Sequence, residues 1–194
     1  IVFSTFLLVV LSPLFLIIAI AIKRADPGKV TYAHRRVGRD GAPFDCLKFR
    51  TMVTDADARL KRWRDENPDL YEEYRRTFKL RDDPRITNIG KWLRRTSLDE
   101  LPQLWNVLMG HMSLVGPRPV VQQELDDYYG PATQLYVRTR PGMTGLWQVS
   151  GRSDLDWEES VRLDLYYVEN WSFLMDISII SQTFRAVLAA RGAY

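Results

Sequence analysis

Residues 1–22 read Ile1-Val-Phe-Ser-Thr-Phe-Leu-Leu-Val-Val-Leu-Ser12-Pro13-Leu-Phe-Leu-Ile-Ile-Ala-Ile-Ala-Ile22, a run without a single charge. As a helix rising ~1.5 Å per residue it reaches ~33 Å, enough for a hydrocarbon core of ~30 Å. Ser12-Pro13 interrupts its middle. Pro13 has no N–H for the carbonyl of Val9, and its ring crowds that carbonyl. A kink is therefore expected there, with the Ser12 hydroxyl available to the freed oxygen. Two topologies fit: a kinked span, or a bend that enters and leaves by one leaflet. The run is too long, and lacks a small-x-small site followed by a clear mature start, for a cleaved signal peptide. Lys23 and Arg24 follow at once, which puts this end on the cytoplasmic side. The chain begins at Ile1 rather than Met and reads as a fragment of a longer one.

Outward from this segment the charge is uneven. Residues 23–97 carry 20 Lys and Arg against 12 Asp and Glu, whereas residues 98–194 carry 7 against 12. A basic block directly after an apolar segment suits an anionic membrane surface and phosphate-bearing ligands. The single cysteine, Cys46, can form no intrachain disulfide. His34 and His111 are too few and too isolated for a zinc site.

Residues 30–52 predict two strands around Arg39-Asp40-Gly41, since Asp-Gly favours a tight turn and Pro43 follows. Lys48 and Arg50 alternate with Phe49, so a strand would show both cations on one face, either wet or gripping phosphate. Residues 53–79 read as helix broken at Pro68, acidic early and basic later as the helix dipole favours.

The densest chemistry lies in Arg94-Arg-Thr-Ser-Leu-Asp-Glu-Leu-Pro-Gln-Leu-Trp105. Leu101, Leu104, Trp105 and Leu108 predict one buried helical stripe, closed by Gly110. Ser97 and Glu100 fit a capping box, although Pro102 fits better if a first turn starts near Leu98 or Asp99. Either way Asp99 and Glu100 meet free backbone N–H groups. Downstream, Pro117-Arg118-Pro119 stiffens the backbone around one arginine, and a preset guanidinium can grip phosphate with two parallel hydrogen bonds. The run Arg140–Trp147 reads as a glycine-proline turn. Residues 171–192 read as an amphipathic helix, because Asp176, Gln182 and Arg185 interrupt its apolar residues.

The segments "KFRTM", "RRTSLDELPQLWNVLMGHMSLVGPRP", "RPGMTGLWQVSGRS" and "DLYYVENWSFLMDISII" together resemble the bacterial sugar transferases, monotopic phosphoglycosyl transferases that start glycan assembly on polyprenyl phosphate. The resemblance covers nearly the whole chain and includes the Ser-Pro break. It implies an α+β fold, mostly helical, with a short β-hairpin. It also implies a re-entrant membrane helix over residues 1–24 and a catalytic domain over 25–194 on the cytoplasmic face of the bacterial inner membrane. The chain looks most like the catalytic domain of the longer, hexose-1-phosphate-transferring members, for which a homodimer is a candidate assembly.

What the resemblance implies for chemistry is a ping-pong reaction. Asp99 would attack a UDP-hexose (galactose or glucose), release UMP, and pass the phosphosugar to undecaprenyl phosphate. That would be a first membrane step of exopolysaccharide, capsule or O-antigen synthesis. Glu100 would hold Mg²⁺. Arg94 and Arg118 would contact phosphate, Lys48 and Arg152 the nucleotide, with Arg50, Asp164 and Asp176 nearby. Ser153 stands where the family usually has Asn. On the residues alone Asp164 and Asp176 read equally as helix ends and caps. Trp147, Tyr166, Tyr167 and Trp171 read as core or interfacial aromatics. The rival readings are a membrane-anchored basic binding module or a scaffold without catalysis. No helix-turn-helix, RNA-recognition signature or zinc spacing points to nucleic acid.

Overall fold

In the computed structural model, residues 2–77, 80, 83–151 and 156–188 are described. Two helices open the chain, α1 (Val2–Val10) and α2 (Ser12–Ala25), bent by 58° at the break between them. The bend is where the sequence puts it. Pro13 leaves the Val9 carbonyl without its helical donor, and Ser12 Oγ donates to that oxygen at 2.8 Å. Among the described residues no single helix is long and apolar enough to cross a membrane, but this bent pair together has the length and composition.

The antiparallel hairpin follows as expected: β1 (Thr31–Val37) pairs with β2 (Pro43–Phe49) around the Arg39–Gly41 turn. Asp40 there takes a positive φ of 58°, which Asp tolerates better than most residues. Helices α3 (Ala56–Glu66) and α4 (Pro68–Thr77) are broken at Pro68 as predicted. Then come α5 (Asn88–Arg95), a single turn over Leu98–Glu100, and α6 (Gln103–Leu108), which Gly110 closes with φ 79°. Strand β3 (Ser113–Val115) pairs in parallel with β4 (Gly142–Thr144). The glycine-proline run expected to be only a turn thus supplies a strand. Between them lie α7 (Gln122–Glu124), a wide turn over Leu125–Tyr129, and α8 (Thr133–Tyr136). Helices α9 (Leu146–Ser150), α10 (Trp157–Glu169) and α11 (Phe173–Leu188) complete a mostly helical α+β fold.

The core is divided among these elements. Ile18 and Ile22 of α2 are buried against Phe49 of β2 and Leu93 of α5, with Leu98 and Leu101 packed alongside. The rings of Phe15 and Phe49 lie 5.3 Å apart. The second half of the apolar segment is therefore also the support on which the residues beside Phe49 and Leu93 rest. Val37, Val120, Leu125, Tyr129, Tyr136 and Val161 form a separate cluster at the other end of the hairpin. Helix α11 buries Ile179 against Val115 and Tyr167 and leaves Phe173, Leu174, Ile177 and Phe184 exposed, the amphipathic pattern expected of it.

The stripe expected on α6 needs correction. Leu104 is buried with Gln103, Asn106 and Val107, while Trp105 is 51% exposed. The inner face of this six-residue helix is taken by Gln103, Leu104, Asn106 and Val107, which leaves Trp105 on the outer face. Asn106 turns inward because it sews α6 to the free edge of β2. Its amide nitrogen donates to Asp45 O at 2.8 Å, and its oxygen accepts from Leu47 N at 2.9 Å.

Candidate active site

The hairpin, α5 and the Leu98–Glu100 turn bring four of the singled-out side chains together: Lys48, Arg94, Asp99 and Glu100. Phe49 and Leu93 are fixed in the α2 core, and their chain neighbours Lys48 and Arg94 both lie in the field of Asp99. Lys48 Nζ lies 2.6 Å from Glu100 Oε1. Arg94 donates its Nε–H to Thr51 Oγ1 at 3.0 Å.

Ser97 is not the expected cap. Its side chain caps nothing, and its backbone is left-handed at φ 57°, ψ 16°. That conformation is strained for a residue other than glycine. It reverses the chain after α5, so that Asp99 turns back toward Lys48 and Arg94 instead of continuing outward. Asp99 is only 9% exposed. Burial raises its pKa to about 6, with Glu100 adding to the rise and the cations Lys48 and Arg94 opposing it. Burial lowers the Arg94 pKa, and the negative charge of Asp99 opposes that. For Lys48 the balance runs the other way: burial would lower its pKa, but Glu100 and Asp99 together raise it. The arrangement is a carboxylate kept short of solvent and flanked by two cations, the setting an anionic nucleophile needs beside a phosphate.

Arg118 and Asp164 sit in a second cluster. The Arg118 backbone N–H approaches both oxygens of Asp164 at 3.3 Å, and Tyr129 OH donates to Asp164 at 2.8 Å. Tyr136 OH donates to the Arg118 carbonyl at 2.8 Å. The Arg118 guanidinium lies over the rings of Trp147 at 5.2 Å and Trp157 at 5.0 Å and reaches Glu124 at 3.3 Å. Glu124 also takes Arg36 at 3.1 Å. Burial pushes Asp164 up to about 7, against the pull of Tyr129 and Arg118. Among the described residues no hydrogen bond or ion pair joins this cluster directly to Asp99 or Glu100. The hairpin links them. Along it Tyr32 stands opposite Lys48, and His34 Nδ1 lies 3.2 Å from Arg36. Burial, Arg36 and Lys48 lower the His34 pKa, while Glu124 opposes them.

The other singled-out residues lie elsewhere. Arg50 does not share a partner with Lys48. The strand ends at Phe49, and Arg50 pairs with both the side chain and the carbonyl of Asp26, just past α2. Thr54 N–H also bonds Asp26 at 2.6 Å. Asp176 accepts from Tyr167 OH at 2.7 Å and from Trp171 Nε1 at 3.2 Å, tying α10 to α11. Arg152 and Ser153 lie outside the described residues. A depression of about 400 Å³ beside the hairpin turn, lined by residues such as Gly41, Gln122, Thr133 and Arg138, contains none of the charged members of either cluster.

Sequence reasoning missed Thr51, Arg36, Glu124 and Tyr129. Thr51 stood inside the quoted "KFRTM" without a role. The other three are joined by contacts across 35 to 88 residues, which no local pattern signals.

The bacterial sugar transferase family matches residues 1–190, and the chain is a member of it. It is 51% identical to the exopolysaccharide production protein ExoY of Sinorhizobium fredii, over 96% of this chain and 82% of that protein. It is 48% identical to the undecaprenyl-phosphate galactose phosphotransferase of Salmonella typhimurium, over all of this chain but 40% of the longer protein. With the undecaprenyl-phosphate glucose phosphotransferase of Komagataeibacter xylinus the identity is 41%, over 98% of this chain and 35% of that protein.

Proposed function

We propose that the chain transfers a hexose 1-phosphate from UDP-galactose or UDP-glucose to undecaprenyl phosphate, with Asp99 as the covalent nucleophile. The observation that carries this is the buried Asp99 carboxylate between Lys48 and Arg94, in a chain of the sugar transferase family. A carboxylate oxygen of Asp99 attacks the phosphorus that bears the sugar. The phosphorus–oxygen bond to UMP breaks, and UMP leaves with that electron pair. A phosphate oxygen of undecaprenyl phosphate then attacks the phosphosugar on Asp99, and the carboxylate is released. Two displacements at phosphorus replace one direct transfer between anions.

The cations divide the work. Lys48 and Arg94 offset the repulsion between Asp99 and the donor phosphate. Arg118, in the Pro-Arg-Pro segment after β3, is a second phosphate contact, and the rings of Trp147 and Trp157 beside its guanidinium restrict its movement. Glu100 fits a role toward Mg²⁺. One of its oxygens is held by Lys48, and the other has no hydrogen-bond partner among the described residues. A hard cation that takes one or two carboxylates and completes its shell with phosphate and water suits such a site. When bound, it would neutralise charge on the leaving phosphate.

The bent α1–α2 pair enters and leaves the plasma membrane by its cytoplasmic leaflet. The 58° angle, the Ser12 bond to Val9, and Lys23 and Arg24 in the last turn of α2 support this. The exposed face of α11 is a further contact with lipid.

The deciding experiment incubates the membrane-embedded protein with a panel of UDP-sugars, measures UMP release, and weighs the intact protein after quenching. A phosphohexose adduct on the Asp99 peptide is expected with UDP-galactose or UDP-glucose. Release of UMP without any adduct would remove Asp99 from the role given to it.

A further inference from the structure

Thr51 holds two separable sets of contacts. Its backbone carbonyl accepts from Thr87 N–H at 3.0 Å and from the Thr87 hydroxyl at 3.2 Å. Gly90 presses on that same carbonyl, since a Cβ there would lie 2.0 Å from Thr51 O. With the bridge between Met52 and Ile86, these contacts seat the first turn of α5 on the chain leaving β2. None of them uses the Thr51 side chain. The hydroxyl, on a residue 7% exposed, instead accepts the Nε–H of Arg94 from the last turn of α5.

We propose that Thr51 is a positioning residue for attack by Asp99: its hydroxyl fixes the plane of the Arg94 guanidinium and leaves the outer edge of that group for the donor phosphate. The inference rests on the role given to Asp99 above. The two terminal nitrogens of Arg94 have no hydrogen-bond partner among the described residues, yet the group lies in the field of Asp99 and, more weakly, of Asp83, which Arg85 already holds. A guanidinium is a planar fork. With Nε tethered, the end that remains is the pair of terminal nitrogens, which suits two phosphate oxygens. Untethered, the fork is free to close on Asp99 as a two-bonded ion pair, which would occupy the attacking oxygens and remove a cation from the phosphate.

The test uses the full chain in membranes or nanodiscs, with single-turnover adduct formation and steady-state UMP release as readouts. Thr51→Val keeps the branched shape and removes the acceptor. It is expected to lower kcat by about 10- to 100-fold, the range that misplacing a reacting group produces, with KM changed less than about threefold. Thr51→Ala should match Val, so a folding failure of either leaves the other to decide. Thr51→Ser keeps the acceptor and should remain within about threefold of the parent. Arg94→Lys has no Nε–H to give. In that background Thr51→Val should cost less than about twofold. Parental activity in both Val and Ala, a Ser variant as impaired as Val, or a full additional loss on top of Arg94→Lys would each overturn the inference while leaving Asp99 as the nucleophile. A parent protein that forms neither adduct nor UMP would overturn the reading of Asp99 and this inference with it.

Discussion

Asp99 and Asp164 begin alike and end differently. Each is a buried aspartate raised by desolvation, to about 6 and about 7, and each has an arginine close by. Around Asp164 donors hold both oxygens: Tyr129 OH and the Arg118 N–H reach them, and Arg118 itself lies over two indole rings and pairs with Glu124. Around Asp99 the cations are nearby but engaged elsewhere, Lys48 with Glu100 and Arg94 with Thr51. A carboxylate with both oxygens held by donors is tied to the fold around it. One that is desolvated, near cations and yet unbonded by them is available to attack.

The widest gap between the two regions should open under substitution by Asn. Asp99→Asn is expected to abolish the adduct and lower UMP release by at least about a thousandfold, with the fold intact. Asp164→Asn should slow turnover by about tenfold and still form the adduct on Asp99. Equal loss of the adduct in both would break the comparison and make the two clusters one reacting centre. Next in size is Glu100→Gln. It frees Lys48 and removes a charged oxygen, and should cost about a hundredfold in kcat while flattening the Mg²⁺ titration. An unchanged titration would take Glu100 out of metal binding.

Asp164 also predicts a pH dependence of stability. Its folded pKa, about 7, lies above the ordinary 3.8. Between those values the folded state binds more protons than the unfolded one, so stability falls as pH rises through 7. Three units correspond to about 4 kcal/mol at most. The parent's melting temperature should therefore drop from pH 5 to pH 8, and Asp164→Asn should flatten that drop. An identical profile in the variant would show that Asp164 is ionised throughout.

The sequence made part of this visible, and the division has a physical basis. Pro13 acts within four residues, through a hydrogen bond it cannot make, so both the bend and the rescue by Ser12 were legible. The Asp-Gly hairpin and the break at Pro68 were local in the same way. Asp99 and Glu100 stood out through their setting among arginines and the family resemblance. Ser97 departs from the expected cap because Ser-x-x-Glu is compatible with one, while its backbone takes the left-handed conformation that joins α5 to the Leu98–Glu100 turn. Trp105 departs from the expected stripe because the polar Gln103 and Asn106, which no apolar period counts, occupy the inner face of α6. Arg50 does not share a strand face with Lys48, because β2 ends at Phe49 and its partner, Asp26, lies just past a different helix. Long-range pairs such as Arg36–Glu124 leave no periodic trace at all.

The finest test of the comparison is Tyr129→Phe, which removes one donor from Asp164 and little else. The Tyr129 bond stabilises the ionised carboxylate and so opposes the desolvation that raises its pKa. Without it the pKa should climb further, and the loss of stability should be greater at pH 8 than at pH 5. A hydrogen bond to a charged acceptor contributes about 1.5–3 kcal/mol and a neutral one about 1, so the difference between the two pH values should be about 1 kcal/mol. Chemical unfolding in detergent at both values would read it. Among the described residues no hydroxyl donates to the Asp99 carboxylate in this way: if Tyr129→Phe costs the same at both values, Asp164 does not depend on its donors, and donor contact is not what separates the two aspartates.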